Sequence, residues 1–330
     1  MKFMETNMLD RRSFVAGLAG TLAFKQDAWA QGYPVKPIHL IVTFPSGAGS
    51  DAVGRQVAER LSKRLGQPVV VENRVGAGGN IGMAYVARQV PDGYTIALAS
   101  LSTAVINPLI YRSAPFKPED FAAIGLIAHL SYILVTNPDV PAANLAQLIA
   151  LGKAKPGSLT LASSGIGNAG HVGGELLKEL GNFDMLHVPY QGAGPAMSAL
   201  LGGHTSMMFA LLSDAVPLVK AGRLRAIALP APNRSSQLPE VPTFREQGIP
   251  DFELIAWFGL VSPVGTPGPV IQRMNTDLNA VISDPSLRKW LLESGYEPAN
   301  PGTPAQFQAM MDLERARWLP VVKRAGISIP

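Results

Sequence analysis

The sequence predicts an α/β protein built on parallel strands, and three features carry that expectation. Short apolar runs alternate with stretches of helical periodicity along most of the chain. Loops rich in Gly and Ser stand between them. The 33 Gly and 28 Pro among 330 residues supply many strand–loop–helix junctions and are too numerous for a helical bundle. Hydrophobic residues make up 47% and charged residues 16%, which excludes a disordered chain, where low hydrophobicity would go with high charge. The length implies two domains or one large one, burying roughly three quarters of the unfolded surface.

The N-terminus has the order of an export signal. Arg11 and Arg12 precede an apolar stretch, Phe14–Phe24, and Ala28-Trp29-Ala30 offers a small-x-small cleavage site, so residues 1–30 are expected to be removed. Asp10-Arg11-Arg12-Ser13-Phe14-Val15, with Lys25 late in the segment, resembles the twin-arginine type. The apolar stretch falls short of the ~20 helical residues that cross a bilayer. Two later uncharged stretches, Gly93–Tyr111 and Leu186–Ser213, contain prolines and polar residues. The expected product is periplasmic and not anchored to the membrane. Cysteine is absent, which removes disulfides, thiolate nucleophiles, cysteine metal sites and lipidated cysteines together. The net charge of +4 is thinly spread, with no Lys/Arg run longer than two, so no nucleic-acid partner is expected. Such a charge supports a mild preference for small anions.

Residues 38–43 read as a buried strand, and the turn Ser46–Asp51 opens a helix in which Val53, Val57, Leu61 and Leu65 share one face. A short strand at 68–71, the Gly76–Asn80 loop and a helix ending near Val90 follow. The turn Pro91-Asp92-Gly93 precedes a strand at 94–99, and another helix starts near Thr103. A second unit begins at 124–135. It has helices at 145–153, 171–180, 195–201 and 215–221 and strands at 159–162, 185–188, 206–209 and 224–229. After the proline-rich connection 230–242, residues 257–262 read as a strand, and the remainder is mostly helical: 270–283, 285–294 and 305–324.

Four loops lie between a strand's C-terminal end and a helix start: Ser46–Asp51, Ser100–Thr103, Ser163–Gly170 and Tyr190–Pro195. Ligands of open parallel sheets bind at such ends, where free backbone N–H groups and the helix dipole attract anions. Gly admits a close backbone approach and Ser/Thr add hydroxyl donors. Each loop alone reads better as a capped tight turn; four on one topology shift the balance towards a site. Gly165-x-Gly167-x-x-Gly170 matches the dinucleotide fingerprint, but the next strand ends His187-Val188-Pro189-Tyr190, without the acidic residue that the fingerprint requires. No serine-hydrolase elbow, zinc-protease motif or phosphate loop occurs. His171 and Glu175, one turn apart, lack a third metal ligand, so no metal or cofactor is expected.

The stretches Phe44–Asp51, Gly66–Arg74, Gly76–Gly82, Pro91–Tyr94, His187–Gly192 and Trp257–Leu260, in this order, closely resemble the extracytoplasmic solute receptors of tripartite tricarboxylate transporters, often called Bug-type receptors. The resemblance runs from about Tyr33 to Ile327. It implies a type II periplasmic-binding-protein fold, two α/β lobes joined by two hinge strands with the ligand in the cleft between them. Residues 31–125 and 229–330 would form lobe 1 and residues 126–228 lobe 2, with hinges near Ala123–Ala128 and Arg225–Pro230. Family ligands are small carboxylates: di- and tricarboxylates, acidic amino acids and aromatic acids. Carried onto this chain, the binding residues are Ser46, Gly47, Ala48, Gly49, Ser50 and Asp51; Ser100, Ser102 and Thr103; Ser163, Ser164, Gly165, Gly167, Asn168 and His171; and Tyr190, Gln191 and Ala210. Asn168 stands where Thr is frequent. Ala210 stands where an Asp is frequent, which weakens the case for an ammonium-bearing ligand. The implied partners are a small carboxylate and the membrane permease subunits, with no chemistry on the ligand. Two alternatives remain at this point: an exported α/β enzyme acting on a carboxylate, which would need Asp51 or His171 as a base, and a subunit that docks on a sensor.

Overall fold

The structure, a computed structural model, describes residues 32–329; the expected export signal lies outside the described residues. Strands β1 (Ile38–Val42), β2 (Val69–Asn73) and β3 (Thr95–Ser100) run parallel in the order β2-β1-β3. In the central β1 only His39 is exposed, the continuous apolar pattern of a strand covered on both faces. Helix α1 (Gly49–Leu65) joins β1 to β2 and buries Val53, Val57, Leu61 and Leu65 along one stripe. Asp51 in its first turn and Lys63 and Arg64 in its last complement the helix dipole. Helix α2 (Asn80–Ala87) leads to β3, which is followed by a wide helical turn, Leu101–Ile106, and α3 (Asn107–Ile110).

The next strand, β4 (Phe121–Thr136), is 16 residues long and belongs to both halves of the sheet. The second half contains α4 (Leu145–Ala154), β5 (Thr160–Ser163), α5 (Ala169–Gly181), β6 (Leu186–Pro189), α6 (Ala193–Leu201), β7 (Met207–Leu211), α7 (Leu212–Lys220) and β8 (Arg225–Ala228). The chain then returns: β9 (Ile255–Pro263), α8 (Gly268–Ile282), α9 (Pro285–Glu293), β10 (Tyr296–Pro298) and α10 (Pro304–Arg324). The full order is β2-β1-β3-β9-β4-β7-β5-β6, with β8 and β10 also paired to β4.

β4 changes neighbours in mid-strand. Phe121–Ser131 pair with β9, and Ala128–Leu130 also with β10. From Tyr132 to Thr136 the partner is β7. Register shifts between Ala123 and Gly125 and between Leu126 and Ala128 mark bulges, which raise local twist.

The sheet is mixed, which corrects the parallel sheet expected from the sequence. β1, β2 and β3 are parallel, as are β5, β6 and β7 where they pair, but β9 is antiparallel to both β3 and β4. Parallel neighbours arise where a helix carries the chain back to the same end. β9 is instead delivered by a chain returning from the second half. The main apolar core draws residues from both halves, Leu40 and Ile96 as well as Leu161 and Phe209; within it Phe209, Phe244 and Phe252 stack with centroids 5.5 Å (Phe209–Phe252) and 4.0 Å (Phe244–Phe252) apart. Helix α10 reaches the second half, where Arg324 makes a two-pronged pair with Glu179 of α5, Nη2 to Oε1 at 2.7 Å.

Candidate ligand-binding cleft

A cleft of about 420 Å³ opens between the two halves of the sheet. One wall carries Phe44, Gly78, Ser102, Asn107, Tyr111 and Ile329; the other carries Ser164–Asn168 and Pro189–Gln191. Ser102, Ser164–Asn168 and Tyr190–Gln191 come from loops that follow the C-terminal ends of β3, β5 and β6, while Asn107, Tyr111 and Ile329 are added by α3 and the C-terminal segment. No Lys, Arg, Asp or Glu is in the lining, which consists of hydroxyls, amides, peptide groups and apolar faces.

Of the residues expected at the site, Ser102, Ser164, Gly165, Gly167, Asn168, Tyr190 and Gln191 line this cleft. The others stand beside or beneath it. Asp51 is buried and its carboxylate accepts from Gly47 N at 3.0 Å, Arg55 Nε at 3.0 Å, Asn73 Nδ2 at 2.9 Å and, more weakly, Ser46 Oγ at 3.4 Å. Burial raises its pKa, but the bonds from Arg55, Gly47 and Asn73 prevail and hold it down at about 2. Asp51 therefore acts as the knot of the Ser46–Asp51 loop. Ser46, Gly47 and Gly49 remain exposed, Ala48 is half-buried and Ser50 is buried. Ser100 and Thr103 form a reciprocal cap: Thr103 N donates to Ser100 Oγ at 3.3 Å and Ser100 N to Thr103 Oγ1 at 3.0 Å. Ala210 is fully buried in β7, opposite Ile133.

The Ser163–Gly170 loop is pinned from below. Ser163 Oγ accepts from Gly165 N at 3.2 Å and lies 2.6 Å from His187 Nε2. Gly167 N donates to His171 Nδ1 at 3.0 Å, while Asn168 Oδ1 caps α5 by accepting from His171 N at 2.9 Å. The rings of His171 and His187 stack 3.8 Å apart at 10°. Burial, then the neighbouring His187 and Lys178, lowers the pKa of His171 to about 3; burial, then Lys178, lowers that of His187 to about 4. Both are neutral imidazoles at neutral pH.

Cleft residues that the sequence did not nominate include Phe44, Gly78, Asn107, Tyr111, Ile166, Pro189 and Ile329. Asn107 Nδ2 donates to Gly78 O at 2.9 Å and Asn80 Oδ1 at 2.8 Å, and so ties the Gly76–Asn80 loop to the wall. The start of a helix after Ser100–Thr103 was its available signal. Ile329 arrives through a bridge to Tyr111 from the far end of the chain, and no local pattern announces it. In and beside the Gly76–Asn80 loop, Asn80 Nδ2 and Thr43 Oγ1, the latter against Gly79, are buried with no hydrogen-bond partner among the described residues.

Among the described residues no group of three or more His, Cys, Asp or Glu is placed to hold a metal, and no helix is long and apolar enough to cross a membrane. His171 Nδ1 is taken by Gly167, and Glu175 pairs with Lys178 at 3.2 Å.

The family model described as "Tripartite tricarboxylate transporter family receptor" matches residues 53–327. Three solved structures share the fold. A Rhodopseudomonas palustris protein, Rpa4515, described with adipate, is 34% identical with a TM-score of 0.79 over 90% of this chain and 99% of its own. The periplasmic binding protein BugD is 34% identical with a TM-score of 0.77 over 90% and 99%. MatC of R. palustris, described with bound malate, is 30% identical with a TM-score of 0.77 over 88% and 100%.

Proposed function

The chain belongs to the tripartite tricarboxylate transporter receptor family, and from that membership we propose that it is a periplasmic receptor that captures a small carboxylate and delivers it to the membrane permease of such a transporter. The cleft carries this reading: loops from both halves of the sheet converge on it, and none of its lining residues is charged. The ligand's charge is met by hydroxyls, amides and backbone N–H groups, including the start of α5. Adipate and malate, carried by two relatives of this fold, give the chemical class.

The ligand leaves unaltered. The two residues that an exported enzyme would need as a base are engaged elsewhere: Asp51 is saturated with donors, and His171 Nδ1 accepts from Gly167. We assign lobe 1 to residues 31–125 and 229–330 and lobe 2 to residues 126–228. The change of β4 neighbours at Ser131/Tyr132 and its bulges over Ala123–Ala128 support a hinge in this strand, though the pairing change falls a few residues beyond the boundary. A ligand that touches both walls stabilises the closed arrangement by its preference for that state.

A thermal-shift screen of residues 31–330 against mono-, di- and tricarboxylates and aromatic acids tests the assignment. A ligand at 100 times its Kd adds about 2.7 kcal/mol, a rise of a few degrees. A carboxylate that raises the melting temperature and is recovered unchanged is the expected result. A panel without effect, or a ligand recovered as a new compound, overturns it.

A further inference from the structure

The stacked histidines are not part of the cleft lining, yet each is bound to a residue whose neighbours are. His171 comes from the first turn of α5 and His187 from β6; their rings meet beneath the loop that carries Ser164–Asn168. A backbone N–H can only donate, so the 3.0 Å bond from Gly167 fixes Nδ1 of His171 as a lone pair and places its proton on Nε2. His187 Nε2 meets Ser163 Oγ at 2.6 Å, and the same hydroxyl holds Gly165 through both its N–H (3.2 Å) and its carbonyl (3.0 Å). Gly165 and Gly167, the two glycines of the loop that line the cleft, are thus each fastened to one ring system.

We propose that the His171–His187 stack is the positioning element of the carboxylate cleft: two neutral imidazoles that hold Gly165 and Gly167 in the conformation the ligand meets, with protonation of His171 releasing that loop. This deepens the receptor reading and rests on it. A proton on His171 Nδ1 points at the N–H of Gly167, which removes the bond and sets two donors against each other. It also places a cation against the face of a second buried ring. The charged group facing the pair is Lys178 on α5, itself held by Glu175 at 3.2 Å and Asp184 at 3.4 Å. It repels a protonated imidazole. From β6 comes the second ring, and from β5 the neutral Ser163. Both histidines are therefore positioning residues that act through the backbone of the loop.

The test uses His171→Asn and His171→Ala. Asn keeps an acceptor, Oδ1, near the place of Nδ1 but cannot titrate. In the ligand-free protein, amide exchange at Gly167 should quicken by about tenfold in His171→Ala, the equivalent of one lost neutral hydrogen bond, and return towards the parent rate in His171→Asn. Nitrogen-15 spectra of the parent should show an unprotonated Nδ1 and a protonated Nε2 on His171 from pH 8 to pH 5. For binding, adipate, malate, citrate and benzoate are titrated into each variant from pH 8 to pH 3, a range that reaches the folded value of His171. Affinity should fall in His171→Ala, hold in His171→Asn, and decline more steeply with acid in the parent than in His171→Asn. That comparison removes the ligand's own protonation. Equal Gly167 exchange in all three proteins, or a failure of Asn to rescue, overturns the proposal. If none of the four acids binds the parent, the receptor reading fails while the exchange and nitrogen spectra still decide the role of the stack.

Discussion

Gly167 and Ile110 touch across the cleft, the glycine in the β5–α5 loop and the isoleucine at the end of α3 on the opposite wall. A Cβ built on Gly167 would overlap Ile110 Cδ1, and the backbone there is left-handed, with φ +79. Gly167→Ala therefore meets two obstacles, a strain of about 1–2 kcal/mol for the left-handed backbone and a collision between the walls. Ligand affinity should fall in Gly167→Ala, and the double variant with Ile110→Ala should recover the part due to the collision. Calorimetric titration of the two single variants and the double closes the cycle. Additive losses would show that the Gly167–Ile110 contact plays no part in ligand binding.

Asp51→Asn removes the charge and turns one of the two acceptor oxygens, Oδ2 for Arg55 and Gly47 or Oδ1 for Asn73, into a donor, and should destabilise the protein by about 2 kcal/mol at pH 7, the scale of a charge-assisted bond. The folded carboxyl, at about 2, lies below the usual value near 4, so its contribution is present above about pH 4 and is lost as the pH falls through about 2. The difference in melting temperature between parent and variant should shrink over that interval.

The histidines set a separate acid limit. Their folded values, about 3 for His171 and about 4 for His187, lie below the ordinary 6.5, so the unfolded chain binds more protons below about pH 6.5. Stability is complete above that pH and falls on acidification towards the folded values, by up to about 1.4 kcal/mol per pH unit for each ring. Urea unfolding at pH 7, 6 and 5 should show this slope, and a variant carrying His171→Asn with His187→Asn should flatten it.

With no Lys or Arg in the cleft lining, carboxylate affinity should change little from low to high salt, because there is no exposed ion pair to screen. Titration in dilute and concentrated sodium chloride checks this. A drop of several-fold or more would point to a cation that closes over the ligand.

Phe252 is buried beside Phe209 and Phe244 in the main apolar core, which draws residues from both halves. Phe252→Ala should cost about 3–5 kcal/mol. Because that core is continuous, calorimetry of the parent should give one unfolding transition, and two well-separated transitions would contradict that continuity.

Most of the elements were legible in the sequence because each is governed by local periodicity. The stripe Val53, Val57, Leu61 and Leu65 gives α1, and helix-opening Gly/Ser loops mark Ser102, Ser164, Gly165, Gly167, Asn168 and Tyr190 as cleft residues. The position of β9 was not legible: nothing within 255–263 says that it enters between β3 and β4, and the short β10 carries no signal of its own. Asp51 shows the same limit. A carboxylate in a Gly/Ser loop has the same sequence whether it faces a ligand or ties the loop. Arg55, one helical turn on, is a local clue to the second role, but Asn73 on the neighbouring strand is not.

The insertion of β9 also dictates an order of events during synthesis. β3 and β4 are made early, yet their shared neighbour comes from the last third of the chain. Until it emerges, both strands present unpaired edges, the surfaces on which nascent chains aggregate or wait for a chaperone. Pairing across so long a separation is slow. The wall carrying Ser102 and Tyr111 is thus finished last, by strand β9 and by Ile329 near the end of the chain.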